Sequence, residues 1–175
     1  MSYYYERDFT PYVPPVIPEG FELVYEYDPG DNPDPIKAFD IDNLNAKKLY
    51  YIFDVDNDYS SGQNVAISGK MFTDVTGDRK FVNIPSTTTI MVTKQDGAFV
   101  CGLIDCSEGV ITGYGFGALK SGYDKSKNYM YGDFPRVNGV DEPYKANTIK
   151  HLILNNATNF NANSLYLNSL KVYAM

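Results

Sequence analysis

The chain has 175 residues, 43% of them hydrophobic and 21% charged, enough for one domain whose core needs no disulfide or metal staple. Asp and Glu number 22 against 15 Lys and Arg; the resulting net charge of −7, with no run of five basic residues, repels phosphate backbones and argues against generic nucleic-acid binding. No apolar run approaches the roughly eighteen residues that cross a bilayer. The start lacks a charged region followed by an apolar one, so neither a membrane span nor a Sec-type signal is expected.

Residues 1–20 differ in kind from the rest. Pro11, Pro14, Pro15 and Pro18 lack the N–H that a sheet interior or a helix requires, and each fixes φ, so this stretch is read as an extended arm. It carries Tyr3, Tyr4, Tyr5, Phe9 and Tyr12. Five aromatic side chains on a segment that cannot fold alone would be a solubility liability in water. Against protein they bury a large area, and proline stiffening lowers the ordering cost. Tyr3, Tyr4, Tyr5, Phe9, Tyr12, Pro14 and Pro15 are therefore the candidate partner-binding residues. The seat of the arm is either another chain or an edge of its own body.

From Phe21 onward, short β-like runs alternate with Gly, Pro, Asn and Asp. Leu23, Tyr25 and Tyr27 stand at period two and mark a first strand; residues 29–35 are all turn chemistry. Strands are predicted over 36–41 and over 47–55, the second with aromatic or branched residues on both faces. A helix over 38–49 is the weaker reading of the same stretch. Residues 65–72, 87–93, 99–104 and 110–116 read as further strands, with turns at 76–78, 95–97 and 107–109. A polar, tyrosine-containing excursion fills 121–147, and loops of that length are usually functional or packed on a partner. Strands over 148–154 and 164–173 close the chain. About nine strands at this spacing predict an all-β fold, an antiparallel two-sheet sandwich of jelly-roll-like arrangement over 21–175, with an up-and-down barrel as second choice.

Three motifs bear on chemistry. Asp54, Asp56 and Asp58 have the opening spacing of a calcium loop, but the sixth position is Tyr59 where such a loop needs Gly, and the twelfth is Val65 where it needs Glu. Strand-end and turn residues are the simpler account, so the expectation is no metal and no cofactor. The alternative is a calcium ion held jointly with Asp40, Asp42 or the Asp28/Asp31/Asp34 loop. Gly113-Tyr-Gly-Phe-Gly117 lacks the following helix that a phosphate cradle requires, and is read as a bulge or close sheet packing. Cys101, Cys106 and the single His151 are one ligand short of a closed zinc site, so both thiols are expected to be reduced and partly buried, with a local disulfide as the alternative. His151 lies in a strand-like run and is read as structural. Nothing groups a nucleophile, a base and an orienting residue, so the chain is not expected to be an enzyme.

The segments Asn159-Phe-Asn-Ala-Asn163, Leu165-Tyr-Leu and Leu170-Lys-Val-Tyr173, together with Phe21-Glu-Leu-Val-Tyr, Ile36-Lys-Ala-Phe-Asp-Ile and Lys48-Leu-Tyr-Tyr-Ile-Phe, resemble those of small β-sandwich virion proteins of tailed bacteriophages. That family is Asn- and Tyr-rich, carries extended terminal arms, and supplies head-decoration, fibre and baseplate components. The resemblance covers about a third of the body. It implies a non-enzymatic structural protein of the virion, docked through its N-terminal arm onto other virion proteins and assembled as a homo-oligomer, a trimer being one closed arrangement. The alternative it implies is a carbohydrate-binding adhesion module for host attachment that recognises host surface glycans.

Overall fold

A computed structural model describes residues 17–29, 36–75, 78–93, 96–121, 130–131, 147–160 and 165–175. Ten strands lie among them: β1 Glu22–Tyr27, β2 Ile36–Ile41, β3 Lys48–Asn57, β4 Gln63–Val75, β5 Asp78–Val92, β6 Asp96–Asp105, β7 Thr112–Leu119, β8 Met130–Tyr131, β9 Thr148–Phe160 and β10 Leu165–Ala174. No helix occurs among the described residues. The strands form two sheets, of order β1-β10-β3-β6-β7-β8 and β2-β9-β4-β5, and every pairing is antiparallel.

The two sheets share one core. Alternation along β3 sends Leu49, Tyr51, Phe53 and Val55 inward, where they meet Ala98, Val100 and Ile104 of β6 and Leu165, Leu167, Leu170 and Val172 of β10. The four-stranded sheet contributes Phe39, Ile41, Val65, Val92, Leu152 and Leu154. Phe39 binds the layers together, with its ring edge-on to Tyr27 at 5.4 Å and to Phe53 at 5.6 Å between centroids. These apolar side chains are the main stabilising mass of the molecule, at about 1.5–3 kcal/mol for each large one fully buried.

The predicted strands over 36–41 and 99–104 fall within β2 and β6, and that over 164–173 matches β10 from Leu165 on, residue 164 lying outside the described residues. Within 38–49 no helix forms: residues 38–41 end β2, 48–49 begin β3, and 42–47 connect them. Sequence reasoning missed the first half of β5, because Pro85 interrupts it. The register explains how the strand survives: Ile67 faces Thr88 and Gly69 faces Ile84, so Pro85, Ser86 and Thr87 swell out opposite Ser68 alone. Since β5 is the edge of its sheet, its proline removes no obligatory ladder bond. The bulge expected from the Gly113–Gly117 glycines is absent: β6 and β7 pair from Ala98↔Leu119 to Asp105↔Thr112 without a shift. Close packing is what those glycines permit instead, Gly117 being buried and Gly115 standing in register with Gly102.

Cys101 lies in β6 and Cys106 directly after its end, and the two side chains face opposite ways. Cys106 belongs to the core between the sheets, whereas Cys101 faces outward with Tyr50, Ile52 and Phe99. Both are free and buried, Cys101 on the outward face and Cys106 in the core between the sheets, so the disulfide alternative does not hold. The expectation of partial burial is also corrected, since neither thiol is more than 1% exposed. Burial pushes both thiols up: Cys101 despite a hydrogen bond from the Tyr50 side chain, and Cys106 to about 12, with the Asp105 carboxylate adding to the effect.

Candidate functional site

The outer face of the six-stranded sheet has two unlike ends. Even-numbered residues of β3 point there: Tyr50 and Ile52 at one end, Asp54 and Asp56 at the other. The ladder places Tyr50 beside Tyr173 and Leu103, Ile52 beside Lys171 and Cys101, Asp54 beside Ser169 and Phe99, and Asp56 beside Tyr166 and Gly97.

At the polar end, period-two spacing brings two carboxylates of the predicted acidic run onto one face. Lys120, directly after β7, is anchored by its own N–H donating to the Gly97 carbonyl at 2.8 Å. Its Nζ is paired with Asp54 Oδ1 and lies 3.0 Å from Asp56 Oδ1. Asn168 completes the arrangement. It occupies the register shift of β10 between Leu167 and Ser169, and its Nδ2 donates to Asp54 Oδ1 at 3.1 Å and Asp56 Oδ2 at 2.8 Å. The same ammonium stands 5.5 Å from the centroid of the Phe99 ring. Burial alone would push Lys120 down, but hydrogen bonds and attraction from Asp54 and Asp56 outweigh it and hold its pKa above the ordinary value of 10.5.

That occupancy bears on the calcium reading. An ammonium already between two carboxylates repels a divalent ion from the same place. The third member of the run, Asp58, is exposed past the end of β3. Joint ligation with Asp40 or Asp42 is overturned by the fold, because those two stand at the four-stranded sheet against His151. Its Nε2 bonds Asp40 Oδ1, and its Nδ1 is 3.9 Å from Asp42 Oδ1. Asp31 and Asp34 lie outside the described residues. Among the described residues, no three His, Cys, Asp or Glu side chains are grouped to hold a metal.

Lys120→Met should test the pairing. With a raised folded pKa, the stabilisation from Lys120 is fully present below about pH 10.5 and is lost as pH rises through the higher folded value. The pair is partly exposed, so a loss of about 1–2 kcal/mol in urea melts at pH 7 is expected. The alkaline fall in stability should flatten in the variant. An unchanged alkaline slope would show that Lys120 is not its source.

Beside this cluster is an open depression of about 730 Å³ lined by Asp56, Asn57, Asp58, Asp96, Gly97, Lys120, Ser121 and Tyr166. Asp96 organises its floor: its Oδ1 accepts from the N–H of Gly97 and of Ser121, and its Oδ2 from the hydroxyls of Ser121 and Thr93. Tyr166 is among the few large apolar side chains left exposed in the described residues. Sequence reasoning singled out Asp54, Asp56 and Asp58 here but missed Lys120, Asn168 and Asp96. Lys120 and Asn168 stand 64 to 114 residues from the carboxylates they bond, and no local spacing signals them.

At the apolar end, Tyr50, Ile52, Phe99 and Cys101 form a second buried cluster on the outward face. Ile17, Phe21, Leu103 and Tyr173 pack against it. Phe21 meets Tyr50 edge-on at 6.4 Å. The chain then turns at Gly20, whose φ of +90° suits glycine, and enters β1. At this corner Leu23, Val24 and Met175 are all about half exposed. Tyr3, Tyr4, Tyr5, Phe9, Tyr12, Pro14 and Pro15 lie outside the described residues. Comparison with protein-family models, curated proteins and solved structures finds no match for this chain.

Proposed function

We propose that this chain is a non-enzymatic structural protein of a bacteriophage virion, a jelly-roll-like module of capsid-decoration, head-fibre or tail-associated type. It docks on other virion proteins through its N-terminal arm and assembles as a homo-oligomer. The observation that supports this most is the corner where the arm enters the body. Leu23 and Val24 of β1, the outermost strand of its sheet, and Met175, which lies against Gly20, are large apolar side chains left exposed there. Exposed apolar groups concentrated at the root of an aromatic segment fit a surface that another protein covers. Tyrosine on that segment serves an interface well, combining large area with a polar tip.

The test is attachment. Deleting residues 1–20 should abolish retention on particles in a sedimentation assay, by at least tenfold, while the circular dichroism of the body stays β-rich. Normal retention of the truncated body would refute the arm as anchor.

A second reading has its own observation, the polar depression with Tyr166 on its rim. An exposed ring beside fixed hydrogen-bonding groups suits a neutral sugar of a host surface glycan. A glycan array separates the readings, since a purely structural part binds nothing on it.

A further inference from the structure

The depression at the polar end, about 730 Å³, is within the roughly 300–1,000 Å³ common to ligand sites. Its carboxylates differ in how far the protein itself uses them. Asp96 is committed: its two oxygens accept from the N–H groups of Gly97 and Ser121 and the hydroxyls of Ser121 and Thr93, which fills the positions a carboxylate offers. Asp56 is half committed, one oxygen to the Lys120 ammonium and the other to the Asn168 amide. Asp58 is exposed past the end of β3. Among the described residues the lining carries these three carboxylates against one ammonium. Lys120 and the Ser121 hydroxyl already donate within the protein, so the surface presents acceptors and asks its ligand for donors. Tyr166 of β10 stands opposite Asp56 in register and is 41% exposed, a ring laid beside those acceptors.

We infer that this depression selects sugars by charge: it takes uncharged units, stacked on Tyr166 with hydroxyls donating to Asp58 and Asp56, and rejects uronic and sialic acids. The inference rests on the glycan reading of the same depression, and adds to it the residues that choose. A pyranose has a C–H face for the negative face of an aromatic ring and a rim of hydroxyl donors for the carboxylates. An acidic sugar keeps the first contact but brings a like charge against the second. Each uncompensated carboxylate at about 4 Å in water weakens an anion roughly fivefold, so two of them amount to tenfold or more. Asp96 holds Ser121 and Gly97 in place and is a positioning residue, whereas Asp58 meets the ligand.

The measurement uses the full chain on an array of neutral hexose and N-acetylhexosamine oligosaccharides printed beside their uronic-acid and sialylated counterparts. Hits should be confined to the neutral members. In titration calorimetry at low salt, the acidic counterpart of the strongest neutral hit should bind at least about tenfold more weakly, and the gap should narrow in about 1 M salt, where screening acts within about 3 Å. Tyr166→Ala should weaken the neutral hit at least about tenfold with the urea midpoint kept. Tyr166→Leu, which retains apolar bulk without a ring face, should do the same, so a folding defect in the alanine variant does not decide the matter. Asp58→Asn should lower the ratio of neutral to acidic affinity at least about threefold. Acidic members bound as well as neutral ones, a folded Tyr166→Leu that binds like wild type, or an unchanged ratio in Asp58→Asn each overturn the inference and leave the glycan reading standing. An array with no hit overturns both.

Discussion

Asn57→Ala should lower the unfolding free energy by roughly 2–4 kcal/mol, as a reduced urea midpoint with an unchanged slope. Asn57 is 2% exposed and is the buried polar side chain of the described core. It stands at the end of β3, in the six-stranded sheet. Its Nδ2 donates to the carbonyls of Val92 at 2.9 Å, Ser61 at 3.1 Å and Thr93 at 3.3 Å, and its Oδ1 accepts from the N–H of Tyr59 at 2.9 Å. Val92 ends β5 in the other sheet, so one amide joins the sheets and fixes the 58–62 turn between β3 and β4. Removing it leaves buried carbonyls and an N–H to find other partners. Each buried group left unsatisfied costs about 1–3 kcal/mol, and water entering the gap recovers part of that.

Asn57→Asp distinguishes this account from simple loss of packing. The shape is retained, but a carboxylate would face three carbonyl oxygens and donate to none. At pH 7 this variant should be less stable than Asn57→Ala. The carboxyl would be protonated more readily in the folded state, so stability should rise as pH is lowered from neutrality toward about 4, where an unperturbed Asp begins to protonate in the unfolded chain. If the Asp variant matches wild type at pH 7, the carbonyl contacts carry no weight and the bridging role is wrong.

How much of this could be read in advance follows from the range of each signal. Period-two alternation, such as Leu23, Tyr25 and Tyr27, is local, and it locates strands and the inward face. The position of an edge is not local. Nothing around Pro85 says that its strand lies outermost, and only that position makes the proline acceptable. The polar end of the outer face shows the same division. Asp54 and Asp56 were visible as a pair, and their shared face follows from spacing alone. Their pairing required Lys120 from the far side of β6 and Asn168 from a register shift near the C-terminus. Those two facts turn an acidic run that resembles a metal loop into an ion-paired cluster. Asn57 gave even less sign of itself, since an Asn between two Asp residues reads as a turn.

Gly102 gives the other large effect. Gly102→Ala should cost roughly 2–3 kcal/mol, although alanine and larger residues suit an ordinary strand better than glycine by up to about 1 kcal/mol. The reason is across the ladder. Tyr51 of β3 faces Gly102 of β6, and a Cβ built on Gly102 would overlap Cζ, Cε1 and Oη of the Tyr51 ring. That ring is fully buried and stands edge-on to Phe53 at 5.9 Å, so it cannot swing aside without disturbing the layer. An aromatic side chain laid over a cross-strand glycine also compensates for the flexibility that glycine brings to a strand. A double-mutant cycle isolates the contact. In a Tyr51→Ala background, which is itself destabilised by a cavity, Gly102→Ala should be nearly neutral, a coupling of about 1–3 kcal/mol. Additive effects of the two substitutions would mean that the ring does not rest on Gly102, and the cost of a methyl group there would need another cause. Gly97 supplies an internal comparison, because its added Cβ would meet the flexible Lys120 chain and the Asp56 carboxylate as well as the Val55 carbonyl. Two of those neighbours can move toward solvent, so Gly97→Ala should cost less than Gly102→Ala. The two costs are ordered by how far each neighbour can give way.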